Sequence, residues 1–304
     1  MTTGSTDLNL GPILFHWPAR QKRDFYCRIA DEADVDTVYL GEVVCGKRAP
    51  LFEDHYLEVA ERLIAGGKKV VLSTLSEVMI DKDRQLVSRL VETKDALIEA
   101  NDASALWHLE GRPHRIGPYV NVYNERTMAW LAGKGAEHFC LNPELPMSSV
   151  CELAGKGQPL GVGIEVQVFG RASLALSARC YHARAHGRVK DNCLFVCEES
   201  SDGMTLETVE GDSFLAINGI QTLSYPYVNL MQEMPEMMAA GVSAFRLSPH
   251  NCDMVKVSRL FRGVISGDLS PDEGIAQLQA MDVGAPFCNG FSHGVDGHRW
   301  VANF

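Results

Sequence analysis

No apolar run in this 304-residue chain approaches the roughly 20 residues that a membrane-spanning helix needs. The N-terminal stretch, MTTGSTDLN, has neither a basic region nor an apolar core, so it does not read as a signal peptide. Residues 1–9 are expected to form a short disordered lead-in, and a cytoplasmic location is expected. Positive charge is also scarce. The chain has 28 Lys and Arg against 39 Asp and Glu, a formal charge of −11. That disfavours a nucleic-acid partner, because phosphate binding needs a basic surface. No Walker loop, G-x-G-x-x-G or H-E-x-x-H motif occurs, which removes the commonest nucleotide and zinc-protease signatures. Low-complexity linkers are missing too, and nearly half of the residues are hydrophobic (46%), so a sizeable core is expected.

Short apolar, β-rich runs alternate with amphipathic stretches. The strand-like runs are 13–17, 36–40, 69–73, 96–100, 116–122, 137–141, 161–168 and 243–247. Helix-like stretches cover 20–33, 53–66, 81–93, 102–110, 124–134, 146–155, 228–240 and 252–266. Strands alternating with helices imply parallel pairing. Eight of them predict a (β/α)8 TIM-like barrel, complete or distorted, with its active-site rim at the C-terminal strand ends. A doubly wound open sheet is the alternative. The expected organisation is one barrel domain over 10–304, with an insertion at 169–227 after strand 7. An insertion of this length in a compact domain usually carries function.

Nine cysteines are an odd number. In a reducing compartment that argues for metal binding or buried thiols and against a disulfide framework. Cys180, Cys193 and Cys197 follow a C-x12-C-x3-C spacing, and Cys45 lies far upstream in YLGEVVCGKR. Topology maps Cys45, after the second strand, and Cys180, after the seventh, to the same barrel rim. Four thiolates suit zinc or an iron–sulfur cluster. His182 and His186 are four apart and would share a helical face, so a Cys3His zinc site is a further option. Their Arg- and Gly-rich segment reads as a loop. The same segment is basic in an acidic chain, with Arg171, Arg179, Arg184, Arg188 and Lys190, and Lys47-Arg48 follow Cys45. Cations favour thiolates and attract anionic ligands. Cys27, Cys140, Cys151, Cys252 and Cys288 lack ligand spacing and read as small core hydrophobes. Gly290-Phe291-Ser292-His293-Gly294 fits G-x-S-x-G, but only ten residues follow it, too few for the acid and base that a nucleophile elbow needs downstream.

The segments LGPILFHWP, VYLGEVVCGKR, LSTLSE, LIEANDASAL, SARC…C…C, INGIQTLS, FRLSP and CNG resemble the ubiquinone-biosynthesis branch of the collagenase-like peptidase (U32) family. The resemblance runs from about Leu10 to about Gly297. It implies a [4Fe–4S] cluster held by Cys45, Cys180, Cys193 and Cys197. It also implies a heterodimer with a UbiU-like paralogue and oxygen-independent hydroxylation of the ubiquinone ring precursor under anaerobic conditions, with prephenate as oxygen donor. No protease activity is expected of this branch. Two departures stand out: the tail reads CNGFSHGVDGH in place of an aromatic-rich run, and EESSDG follows Cys197 without a further cysteine. Glu42, Arg48 and Arg179 are expected beside the thiols or on an anion, with Arg246 as a further anion-binding candidate. Asn218 and Gln221 either line the pocket or form a structural turn. The rival readings are a non-catalytic electron-relay or scaffold subunit and an RNA base hydroxylase like other relatives.

Overall fold

In the computed structural model, which describes residues 6–302, parallel strands close on themselves. They are β1 (Asp7–Leu10), β2 (Thr37–Leu40), β3 (Lys69–Ser73), β4 (Leu97–Ala100), β5 (His114–Ile116), β6 (Ala136–Cys140) and β7 (Gly163–Leu176). The seventh connection carries β8 (Met204–Glu207), β9 (Ser213–Asn218) and β10 (Gln221–Asn229), and β11 (Ala244–Leu247) follows. Each of β1 to β6 pairs in parallel with the next. β11 pairs in parallel with both β7 and β1, so Arg246 stands opposite Gln167 on one side and Asn9 on the other. This closure makes a (β/α)8 barrel and excludes the open doubly wound sheet.

Helices fill the crossovers: α1 (Ala19–Glu32), α2 (Tyr56–Ala65), α3 (Asp81–Val91), α4 (Ala103–Leu109), α5 (Glu125–Ala132) and α6 (Met147–Gly157). A short α7 (Tyr181–Ala185) lies in the insertion, and α8 (Met234–Ala240), α9 (Met254–Ser266) and α10 (Pro271–Gln279) complete the set before the two-residue β12 (Phe287–Cys288). Local chemistry sets several helix starts. Asp102 and Asn124 accept amide hydrogen bonds from Ser104 (2.7 Å) and Thr127 (2.9 Å). Ser270, Pro271 and Glu273 form a capping box with proline at the first helical position. No helix among the described residues is long and apolar enough to cross a membrane.

Strand side chains alternate between two environments. Leu8, Leu10, Val38, Leu40, Ile98, Ile116, Phe139, Ile164, Phe245 and Leu247 are buried in the apolar clusters shared with the helices. The alternate positions meet across the barrel axis and include a polar network beside Val71, Cys140 and Ala244. Arg246 pairs with Glu99 (2.7 Å) and Glu165 (2.5 Å) and lies 4.0 Å over the Tyr39 ring. Glu165 also accepts from Asn9 (2.7 Å) and Tyr39 (3.0 Å), and Arg115 donates to the Tyr39 hydroxyl (2.6 Å). His138 reaches Glu165 at 3.2 Å, and Ser73 donates to Glu99 (2.7 Å). Although burial opposes ionisation of Glu165, Arg246 and His138 hold its carboxyl well below the usual range.

Several boundaries differ from expectation. Residues 1–5 of the expected lead-in lie outside the described residues, and Asp7–Leu10 is the first barrel strand. The apolar run 13–17 is not a strand. Pro12 has no amide proton to offer the ladder, so pairing stops after Gly11 donates to the Leu247 carbonyl (2.8 Å), and Ile13, Phe15 and Trp17 bury themselves as irregular chain. Val228 and Asn229 belong to β10, and the helix starts at Met234. The insertion begins as a continuation of β7, whose outer half pairs antiparallel with β10. β10 then pairs antiparallel with β9, and β9 with β8.

Arg246, an expected anion-binding candidate, is buried in the barrel interior. Its counter-ions are the chain's own Glu99 and Glu165. Replacing Arg246 by Ala would leave two carboxylates buried together. Urea unfolding should then show a stability loss of roughly 3–5 kcal/mol, whereas Arg179→Ala, on an exposed side chain, should leave the midpoint in place.

Candidate metal centre

The loop after β2 is shaped by two residues ahead of Cys45. Gly41 passes so close to the Ser73 carbonyl that a Cβ would lie 2.2 Å from its oxygen, and its φ of +144° suits glycine. Glu42 is buried, and its Oε1 accepts the amides of Val44 and Cys45, both at 3.1 Å. The Arg48 amide closes the turn on the Cys45 carbonyl (2.8 Å).

The other three cysteines sit in the insertion. Cys180 caps α7, its sulfur accepting from the Ala183 amide (3.4 Å). Between Cys193 and Cys197 the chain reverses through Leu194 and Phe195, with φ of +49° and +55°. Two consecutive non-glycine residues in the left-handed region carry backbone strain, and they bring Cys197 back toward Cys193. Lys47 bridges the two loops. Its Nζ donates to the carbonyls of Lys190 (2.7 Å) and Asp191 (3.1 Å) and lies 3.8 Å from Cys193 Sγ. Cys45, Cys180, Cys193 and Cys197 thereby line a single cavity, together with Lys47, Arg48, His182 and Lys190.

The charge around this cavity is unbalanced. Lys22 and Arg48 are buried against one carboxylate, Glu42, at 3.8 and 4.0 Å. The field reaches His16, whose pKa is pushed down to about 4 by burial first and then by Arg48 and Lys22. Burial raises the Cys45 and Cys197 thiols, and Arg48 opposes the rise at both. Arg48 Nε and both ring nitrogens of His182 are buried without hydrogen-bond partners. This donor set fits an anionic group bound by thiolates. Among the described residues no three His, Cys, Asp or Glu side chains are gathered tightly enough for one metal ion.

The expected neighbours of the thiols divide. Arg48 donates to the Leu14 carbonyl (3.0 Å) and to Asn218 Oδ1 (3.2 Å), and Asn218 Nδ2 donates to Leu14 (2.8 Å) and Gln221 (3.0 Å). Gln221 donates to the Tyr119 hydroxyl (2.8 Å). Asn218 and Gln221 therefore flank the two-residue turn of the β9–β10 hairpin and brace it, while Gly219 and Ile220 between them line the cavity. Arg179 is exposed, and only its amide is engaged. Arg171 does not join the basic patch, because it is buried and paired with Asp202 (2.7 Å). His182 lies on a helix, not in a solvated loop, and is buried. Cys140 and Cys288 are buried as expected, while Cys27, Cys151 and Cys252 are half-buried.

A model of peptidase family U32 matches residues 26–294. The chain belongs to this family. Among solved structures, dihydropteroate synthase (FolP) from Thermus thermophilus is 12% identical, with 88% of this chain and 94% of that chain covered and a TM-score of 0.45. Phospho-2-dehydro-3-deoxyheptonate aldolase (DAHP synthase) from Thermotoga maritima is 11% identical, with coverages of 93% and 71% and a TM-score of 0.43. Neither likeness bears on the chemistry.

This U32 chain holds a second polar cluster that its sequence pattern did not reveal. Asp202, in the EESSDG stretch, accepts from Arg171 (2.7 Å), the Tyr227 hydroxyl (2.7 Å) and His250 Nδ1 (2.5 Å). The Arg171 amide donates to His250 Nε2 (3.0 Å), which fixes the tautomer and leaves the imidazole no free nitrogen to take a substrate proton. The cluster is an anchor that ties the loop after Cys197 to β7, β10 and the segment after β11. The G-x-S-x-G segment is likewise no nucleophile elbow. It forms turns after β12, and His293 is held by Glu233 (2.8 Å).

His250 and Arg171 depress the Asp202 pKa to about 2 against the opposing effect of burial. A depressed carboxylate adds stability above its unfolded value, and the gain is lost as pH falls through the folded value. Asp202→Asn should therefore unfold more easily at pH 7, by on the order of 2 kcal/mol. In urea titrations the gap to wild type should stay constant above pH 4 and narrow as pH falls from about 4 to about 2.

Proposed function

We propose that Cys45, Cys180, Cys193 and Cys197 hold a [4Fe–4S] cluster. The chain is then the UbiV-type subunit of an oxygen-independent hydroxylase acting on the ubiquinone ring precursor, paired with a UbiU-like paralogue and using prephenate as oxygen donor. One observation carries the reading: four cysteines from two distant parts of the sequence line one cavity together with Lys47, Arg48 and Lys190 and with no carboxylate. A cubane on four thiolates is net negative and stores a single electron when bound. Around it, Lys47 and Lys190 line the cavity and the exposed Arg179 lies on the same loop, a set of cations suited to a dicarboxylate donor. U32 membership supports the family assignment, and this reading does not make the chain a protease.

The electron-relay reading has one observation in its favour. The barrel interior is occupied by the chain's own ion pairs, and the Tyr119–Gln221–Asn218–Arg48 chain of hydrogen bonds ties the rim together. In that reading the paralogue holds the aromatic ring and this subunit supplies electrons.

Protein purified without air should be brown and carry about four irons per chain. Substituting Ala for Cys45, Cys180, Cys193 or Cys197 should remove most of that iron, and the same change at Cys27 or Cys151 should not. Zinc at one equivalent in place of iron would overturn the cluster. In a strain lacking the gene, ubiquinone should be normal in air and missing after anaerobic growth. Normal anaerobic ubiquinone in a strain that also lacks paralogues able to substitute would defeat the hydroxylase reading.

A further inference from the structure

His182 belongs to the wall of the four-cysteine cavity. The imidazole is 1% exposed, and neither ring nitrogen has a hydrogen-bond partner. The Ile217 carbonyl favours the protonated ring but makes no aligned bond with it. His186 stacks on the ring at 5.3 Å and 8°, and His186 is itself held by Nδ1 on the His182 carbonyl (2.8 Å). The orientation of the buried ring is thus fixed, while its nitrogens are left unused. A leucine would fill this space without the cost of desolvating two unpaired polar atoms. An imidazole is useful here only if something in the cavity meets its N–H.

We propose that His182 donates a ring N–H to the sulfur-rich group held by the four cysteines and thereby stabilises its reduced, more negative form. The inference rests on the cluster reading above. Hydrogen bonds to cluster sulfurs raise the reduction potential, because the donor dipole favours the added electron. The role differs from that of Arg48, whose two terminal nitrogens are held by the Leu14 carbonyl and Asn218 Oδ1. His182 acts as a positioning and tuning residue and is not a ligand.

The test uses the full chain purified without air, as wild type, His182→Leu and His182→Gln. Iron per chain is assayed, followed by a dithionite redox titration read by absorbance and electron paramagnetic resonance. His182→Leu should keep the wild-type iron content while its midpoint moves negative. At a fixed poise the reduced-to-oxidised ratio should fall about tenfold, equivalent to about 59 mV for one electron. His182→Gln, which restores a side-chain N–H, should recover much of that shift. An unchanged midpoint in His182→Leu overturns the proposal. If His182→Leu loses iron, iron retained in His182→Gln supports N–H donation, and loss from both variants shows a purely architectural residue and overturns it. A wild-type chain without iron removes the cluster reading and this inference together, and the iron assay alone tells that result from the others.

Discussion

The Arg48 guanidinium is the point on which three separate pieces of the barrel rim close. It lies beside Glu42 and Cys197, and it donates to the irregular segment after β1 through Leu14 and to the β9–β10 hairpin through Asn218. A planar fork of five donors can serve several acceptors at once, which a lysine ammonium on a flexible stem cannot do with the same geometry. Burying that charge costs several kcal/mol. Glu42 offsets part of the cost, and the thiol-lined cavity offers a place for the rest of the compensating negative charge. The loop bearing Cys45 and the hairpin facing Cys180 are therefore assembled by the same group that biases the cavity toward anions.

Two charged centres lie along one barrel, and they differ in balance. In the interior, Glu99 and Glu165 face Arg115 and Arg246, with Tyr39, Asn9, Ser73 and His138 completing the hydrogen bonds. That network pairs its own charges within the barrel interior. At the rim, Lys22 and Arg48 share one carboxylate. The asymmetry leaves the thiol-lined cavity beside the insertion, near the rim where barrels of this fold place their active sites.

The insertion that bears Cys180, Cys193 and Cys197 is tied to the barrel. Three attachments do this here. Lys47 grips the backbone ahead of Cys193, the Trp17 indole donates to the Ser201 carbonyl (2.6 Å), and Asp202 joins Arg171, Tyr227 and His250. Each attachment reaches from the barrel into the insertion, so the cysteine loop is fixed from both sides of Cys197.

Much of the fold was legible in the sequence because it rests on local periodicity. Short β-rich runs, amphipathic helices and the long break after the seventh strand follow from patterns within about 20 residues, and the cysteine spacing needed no structure to stand out. Where local pattern misled, a nonlocal fact was responsible. The run 13–17 looked like a strand, yet strand pairing depends on which neighbour offers a ladder, and Pro12 ends that ladder. Arg246 read as an anion-binding candidate, and its ion-pair partners in the barrel are Glu99 and Glu165, on strands far away in sequence. His182 looked solvated, yet the hairpin and α7 bury it. The sequence by itself determined the alternation of elements and the identity of the four thiols. Barrel closure alone decided which side chains face each other, because the strand register brings together residues that no local pattern connects.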